Sequence, residues 1–232
     1  MKDNGALLIP EPQAVALLRD YGIPYPDHDL AHSAAQAVDI AERLGYPVVL
    51  KVVSPDVLHK SDVGGVAVDL TDAGSVAQAY EDISRSVLEQ VPGADIQGLL
   101  VCKQAPPGLE VIIGALDDAM FGPTLMFGLG GIFAEVLRDV TFRVVPLRHR
   151  DAEEMVREIR GYPLLAGTRG HSGYDVPALI NLLLAISRLV TERPGIEELD
   201  LNPVRLYEEG LLVLDARLIQ GAAAGEESGP PT

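Results

Sequence analysis

Cysteine is almost absent from this sequence: Cys102 stands alone among 232 residues, so no disulfide can form within the chain. That usage suits a reducing, cytoplasmic compartment, with Cys102 serving as a small apolar residue in a buried strand. Basic residues are also scarce, with 18 Lys and Arg against 34 Asp and Glu and a formal net charge of −16. So acidic a surface repels nucleic acid and anionic membrane, and neither is expected as a partner. An anionic ligand would have to be met by a few local donors. A basic-then-apolar leader is missing from the N-terminus, so no signal peptide is expected. The longest apolar stretch, residues 178–190, is interrupted and too short to cross a bilayer. No internal repeat is visible. No Walker A pattern occurs, which excludes a P-loop as the means of holding phosphate.

What is present fits a globular α+β protein. At 47% hydrophobic residues the chain can bury a real core, as one domain or two small ones. Residues 10–22 predict a helix with Val15, Leu17 and Leu18 apolar, prolines at its start and Gly22 at its end. Residues 33–45 predict a second, with Ser33 as N-cap and Gly45 past the last turn. The run Pro47-Val-Val-Leu-Lys-Val-Val53 reads as a buried strand. A polar segment, 54–65, leads to a short strand at 66–70 and a helix over 73–90. Strands are expected near 96–103, 109–116, 123–128 and 140–146, and helices at 151–160 and 175–192. Two last strands, 199–207 and 211–218, turn around Glu208-Glu209-Gly210. The tail from Gly221, rich in Gly, Ala, Glu and Pro, reads as disordered. Alternating α and β early, then clustered strands, argue for α+β subdomains over a doubly wound sheet. The expected division is 1–95, 96–220 and a tail at 221–232.

Several residues invite a chemical reading beside a plain one. Lys51 lies inside an apolar strand, where a lysine is rare unless paired. It either faces water from an edge strand or aims at an anion such as phosphate. The segment Ser54 to Gly65 is long for a connection, and long loops are often functional. Gly64-Gly65 would let backbone N–H groups approach a phosphate. His59, beside Lys60 and Ser61, is either a solvated loop side chain or a nucleophile that splits one transfer into two. Glu110 is either an exposed strand-end carboxylate or a ribose acceptor. If Glu208-Glu209 is a two-residue turn, Asn202 pairs with Asp215, and opposed side chains share a face about 5 Å apart. One carboxylate and one amide oxygen there suit Mg²⁺, which takes few protein oxygens beside phosphates and waters; a one-residue slip would separate them. The alternative is two polar residues on a solvated face. Phe127-Gly-Leu-Gly-Gly-Ile-Phe133 lacks dinucleotide spacing and reads as a tight turn, and Arg169-Gly170 as a lid or a plain surface loop.

Together these segments resemble the ATP-grasp β subunit, or β domain, of ADP-forming acetyl-CoA synthetases, relatives of succinyl-CoA ligases. The resemblance runs from about Leu8 to Ile219. It is carried by residues 47–65, by Gly108-Leu-Glu-Val-Ile-Ile-Gly114, by the glycine stretch 126–136, and by Glu198-Leu-Asp-Leu-Asn-Pro-Val204 with Leu214-Asp-Ala216. It implies an ATP-grasp fold, two α+β subdomains gripping a nucleotide between them, and ATP or ADP as substrate with Mg²⁺. Lys51 would bind nucleotide phosphates, and Gly64-Gly65 would lie in the loop that covers them. Gln104 and Ala105 would form the adenine hinge and Glu110 would hold the ribose. Asn202 and Asp215 would bind Mg²⁺, and His59 matches the family's second phosphohistidine. A partner α subunit, or fused domain, would hold the CoA site and the first phosphohistidine. The competing reading is a regulatory ATP-grasp-like domain of a protein acetyltransferase fusion. A third, a carboxylate–amine ligase, would not call for a loop histidine.

Overall fold

The structure is a computed structural model that describes residues 6–131, 139–167 and 172–221. Strand β1 spans Leu7–Ile9, helix α1 Glu11–Asp20, β2 His28–Ala31, α2 Ala34–Leu44 and β3 Val48–Val53. A 3-10 turn at Ser61–Val63 precedes β4 (Val66–Leu70), α3 (Ala73–Gln90), β5 (Gly98–Lys103), β6 (Leu109–Asp118), β7 (Gly122–Leu129) and β8 (Val140–Val144). Helices α4 (His149–Glu158), α5 (Tyr162–Ala166) and α6 (Val176–Glu192) follow, then β9 (Ile196–Leu206), β10 (Leu211–Val213) and β11 (Ala216–Gln220). No helix among the described residues is long and apolar enough to cross a membrane.

The chain divides into two compact units. The N-terminal unit is Pro10–Leu109 with Leu212–Leu214; the C-terminal unit is Met1–Ile9, Glu110–Leu211 and Asp215–Thr232. The division expected after residue 95 is therefore displaced. Strand β5, which that boundary would detach, sits between β2 and β3 in the antiparallel sheet β2-β5-β3-β4. The tail beyond Gly221 lies outside the described residues.

In the N-terminal unit the local signals act as physics requires. Ser33 accepts from Gln36 N at 3.2 Å to start α2, and Gly45 at φ 77° and ψ 144° ends it in a conformation that costs an ordinary residue about 1–3 kcal/mol. Asp72 and Ser75 close a reciprocal capping box at the start of α3. Helices α2 and α3 bury Ala37, Ile40, Ala41, Val76, Ile83 and Val87 against Val48, Leu50, Val52, Leu99 and Val101 of the sheet. Cys102 is buried in β5.

The C-terminal unit is built on a sheet with the path β1-β11-β9-β6-β7-β8. Period-two burial is clear: Val111, Ile113 and Ala115 of β6 and Leu125, Phe127 and Leu129 of β7 point to one side. Helices α4 and α6 cover it with Met155, Val156, Leu179, Leu183 and Ile186. On β9 the buried positions are Leu199 and Leu201, then Val204 and Leu206, so the alternation slips by one at Asn202-Pro203. Glu198, Asp200 and Asn202 are left on the less buried side.

Candidate functional site

Lys51 is carried by β3, a strand paired on both sides, and is 7% exposed, so it is neither on an edge nor facing water. Its ammonium needs compensation there. Nζ donates to Glu11 Oε1 at 2.9 Å, to Tyr25 Oη at 2.7 Å and to the Leu214 carbonyl. Glu11, in the first turn of α1, also accepts from the Tyr25 hydroxyl, and its Oε2 faces Lys60 Nζ at 3.2 Å. One buried carboxylate thus holds two lysines. Sequence reasoning found Lys51 and missed Glu11 and Tyr25, which lie 40 and 26 residues away.

The segment between β3 and β4 is docked, with His59 exposed at its middle. Val57 is buried, Asp56 Oδ2 accepts from Asp95 N at 2.8 Å, and Ser86 Oγ donates to the Val63 carbonyl at 2.9 Å. The glycine pair has internal reasons to be glycine. Gly64 adopts φ 64°, and a Cβ there would meet Ser86 Oγ at 2.7 Å. At Gly65 a Cβ would meet Val52 Cγ1 at 2.6 Å and the Lys60 carbonyl at 2.8 Å. Their N–H groups donate to Ser61 O and Lys60 O, so in this conformation both are already used.

At the end of β5 the Gln104 side chain exchanges two hydrogen bonds with Asp69, accepting from its N at 2.7 Å and donating to Oδ1 at 2.6 Å. Ala105 follows, half-buried. Lys103, next to them, donates to the carbonyls of Gly45 and Tyr46 at 2.8 and 2.9 Å, which caps α2. Burial pushes the Tyr46 phenol above its usual range, with Glu42 and Asp72 adding to the effect.

In the C-terminal unit Asn202 and Asp215 stand opposite each other. Asn202 N donates to the Asp215 carbonyl at 3.2 Å, Tyr207 N to the Gly210 carbonyl at 3.1 Å, and Ala216 pairs with Leu201. That is the register set by a turn at Glu208-Glu209. Asn202 is exposed and Asp215 half-buried. Arg217, opposite Asp200, reaches Glu198 and lies 3.8 Å from Asp200 Oδ2. Arg205 pairs with Glu110 Oε1 at 2.5 Å. Alternation of charged residues along β9 was the available signal for this set, and the arginines went unread. Burial pushes the Tyr207 phenol up, against a downward pull from Arg205. The glycine run packs on the start of β6: Gly130 N donates to the Glu110 carbonyl at 2.8 Å, and a Cβ there would lie 3.0 Å from that backbone. Its last two residues, Ile132 and Phe133, lie outside the described residues, as does Arg169-Gly170.

No group of three or more His, Cys, Asp or Glu side chains among the described residues could hold a metal alone. The pair Asn202 and Asp215 fits a hydrated Mg²⁺ that takes its other oxygens from phosphate and water.

A model of the ATP-grasp domain family matches residues 1–219. The β subunit of acetate–CoA ligase [ADP-forming] I from Pyrococcus furiosus is 43% identical over 209 residues, 90% of each chain. The acetate–CoA ligase [ADP-forming] I of Archaeoglobus fulgidus is 45% identical over 90% of this chain, which spans 30% of that longer protein. Among solved structures, the acetyl-coenzyme A synthetase 1 of Ca. Korarchaeum cryptofilum, in complex with coenzyme A and Ca-AMPCP, superposes with a TM-score of 0.89 at 48% identity, covering 94% of this chain and 96% of that one. Another structure of that synthetase holds Mg-AMPPCP, with a phosphohistidine segment pointing towards the nucleotide binding site.

Proposed function

The chain belongs to the ATP-grasp domain family, and on that premise we propose that it is the nucleotide-binding β subunit or domain of an NDP-forming acyl-CoA synthetase. Its fold is the α+β ATP-grasp fold. The activity is that of an acid–thiol ligase: acid, CoA and ATP give acyl-CoA, ADP and phosphate, reversibly. The observation that carries this reading is the match over 90% of both chains to a separate β subunit of an ADP-forming ligase. The relatives are ligases, and Lys51, His59, Asn202 and Asp215 are all present, so the regulatory-domain alternative is not favoured. The partner is an α subunit, or a fused domain, that carries the CoA site and the first phosphohistidine.

His59 is the phosphoryl carrier. An imidazole nitrogen attacks the γ-phosphorus of ATP, the bond to the ADP oxygen breaks, and ADP leaves; the reverse step returns the phosphoryl group to ADP. Such transfers depend on position and neutralised charge. Lys51 supplies fixed positive charge. Gln104 and Ala105 read adenine through their backbone, since the Gln104 side chain is held by Asp69. Glu110, oriented by Arg205, accepts from the ribose hydroxyls. Gly64 and Gly65 can offer N–H groups to phosphate only once they leave the Ser61 and Lys60 carbonyls. Asn202 and Asp215 would hold Mg²⁺, which would neutralise phosphate charge.

Labelling tests the reading. Radiolabelled γ-phosphate from ATP should appear on the chain as an acid-labile, base-stable adduct. His59→Ala should abolish that label, and acyl-CoA synthesis with the partner, while nucleotide affinity stays within about twofold because the imidazole is not one of the proposed nucleotide-binding groups. Wild-type labelling of the alanine variant would reduce His59 to a loop residue. The chain alone, given acid, CoA and ATP, should form no thioester.

A further inference from the structure

Among the buried ionisable groups that the phosphoryl-transfer scheme leaves without a task is Glu11. Glu11 has a side chain only 2% exposed, yet it sits under an exposed loop. Its two oxygens divide their work. Oε1 takes Lys51 and the Tyr25 hydroxyl, whereas Oε2 faces Lys60 at 3.2 Å. Lys51 has further acceptors, Tyr25 Oη and the Leu214 carbonyl, and is fixed on a central strand. Lys60 has a longer contact, is 14% exposed, and directly follows His59 in the loop. Of the two lysines it is the one placed to change partners. The segment is also tied at Val57, Asp56 and Val63, through groups other than this ion pair.

We propose that Glu11 is a positioning residue for the phosphoryl carrier: it docks the His59 loop through Lys60, and a phosphoryl group on His59 undocks the loop by taking Lys60 from it. A phosphoryl group brings close to two negative charges and three acceptor oxygens. Placed one residue from Lys60, it offers a stronger, charge-assisted partner than one shared carboxylate oxygen. Glu11 stays compensated after the exchange, because Lys51 remains on Oε1. The loop therefore loses its charged tether when loaded and regains it when unloaded, which matches the task of a carrier serving two places. The release step rests on the phosphohistidine reading; the docking step does not.

Hydrogen exchange of the full chain, read on peptides covering residues 54–65, separates the two steps. Losing this partly buried ion pair should speed exchange by roughly tenfold or more. Lys60→Met should give that acceleration at residues 62–65, whose N–H groups are bonded to the carbonyls of His59, Lys60 and Ser61, and Lys60→Arg, which keeps the charge, should restore slow exchange. Glu11→Gln should match Lys60→Met, with the double variant no faster than either. If Glu11→Gln fails to fold, the two Lys60 variants carry the test, since both leave the Lys51–Glu11 pair intact. Chemical phosphorylation of histidine with phosphoramidate should accelerate the wild type to the same level and leave Lys60→Met unchanged. Slow exchange in Lys60→Met would overturn the docking role, and slow exchange in the phosphorylated wild type would overturn the release. Because phosphoramidate bypasses the enzyme, failure of ATP labelling would sink the carrier reading without altering the exchange results.

Discussion

Replacing Lys51 by methionine isolates what the buried ion pair contributes. The change keeps most of the side-chain stem and removes the ammonium, leaving Glu11 with Lys60 at 3.2 Å and the Tyr25 hydroxyl. Removing one partner of a buried pair typically costs 3–5 kcal/mol, because the other charge stays buried without it. Lys60 softens that loss, so the expected cost is about 3 kcal/mol, near the lower bound. For a chain of 232 residues this lowers Tm by roughly 6–12 °C. The assay is urea and thermal unfolding without nucleotide, so that lost ligand binding cannot contribute. The double variant Lys51→Met/Glu11→Gln removes both charges, and Lys60, partly exposed, can turn to water. It should be less destabilised than the sum of the single variants by about 2 kcal/mol, the size of coupling seen between contacting residues. A cost below about 1 kcal/mol for Lys51→Met, with additive behaviour in the double variant, would refute the buried-pair account.

Asp215→Ala should weaken Mg²⁺-dependent nucleotide binding by about 10- to 100-fold, the worth of one charged contact; titration calorimetry with and without Mg²⁺ reads this, and unchanged affinity would remove the hairpin from the site. Gly65→Ala should destabilise the chain by about 1–3 kcal/mol, since the added Cβ meets a backbone carbonyl 2.8 Å away. Gly64→Ala should cost less, about 1–2 kcal/mol for its φ of 64°, because the Ser86 hydroxyl it would meet can rotate aside. Denaturant unfolding ranks the two, and the opposite order would show that the Gly65 contact relaxes.

Local signals were legible where one residue both causes and marks the feature. Ser33 and Gly45 bracket α2, and the turn at Glu208-Glu209 fixes which residues of the last hairpin face each other. Elements held by distant pairing were not. Strand β1 is three residues long and pairs with β11 at the far end of the chain; β2 carries His28 and Asp29 and owes its form to β5. The misplaced boundary has the same cause. Pro92-Gly93 looks like a linker, yet β5 beyond it completes the N-terminal sheet. The run 211–218 reads as one strand, but the ladder breaks at Leu214-Asp215, where the Leu214 carbonyl turns to Lys51 and the Asp215 carbonyl accepts from Asn202.

Glu11 shows why part of the site stayed hidden. An acidic residue in the first turn of a helix already has a sufficient local reason, the positive end of the helix dipole, so nothing in the sequence asks for a second. The second reason comes from charge density. A chain with a net charge of −16 must attract phosphate with a few clustered lysines, and two ammonium groups brought together without ligand repel each other. A carboxylate between them keeps both in place and still leaves one positive charge in excess. The same geometry that makes Lys51 look like a phosphate ligand therefore requires an internal anion while the ligand is away. In a protein that receives and gives up phosphoryl groups in turn, that anion is the part that must yield at each transfer, and Lys60, the longer of its two lysine contacts, is where it can yield without exposing the core.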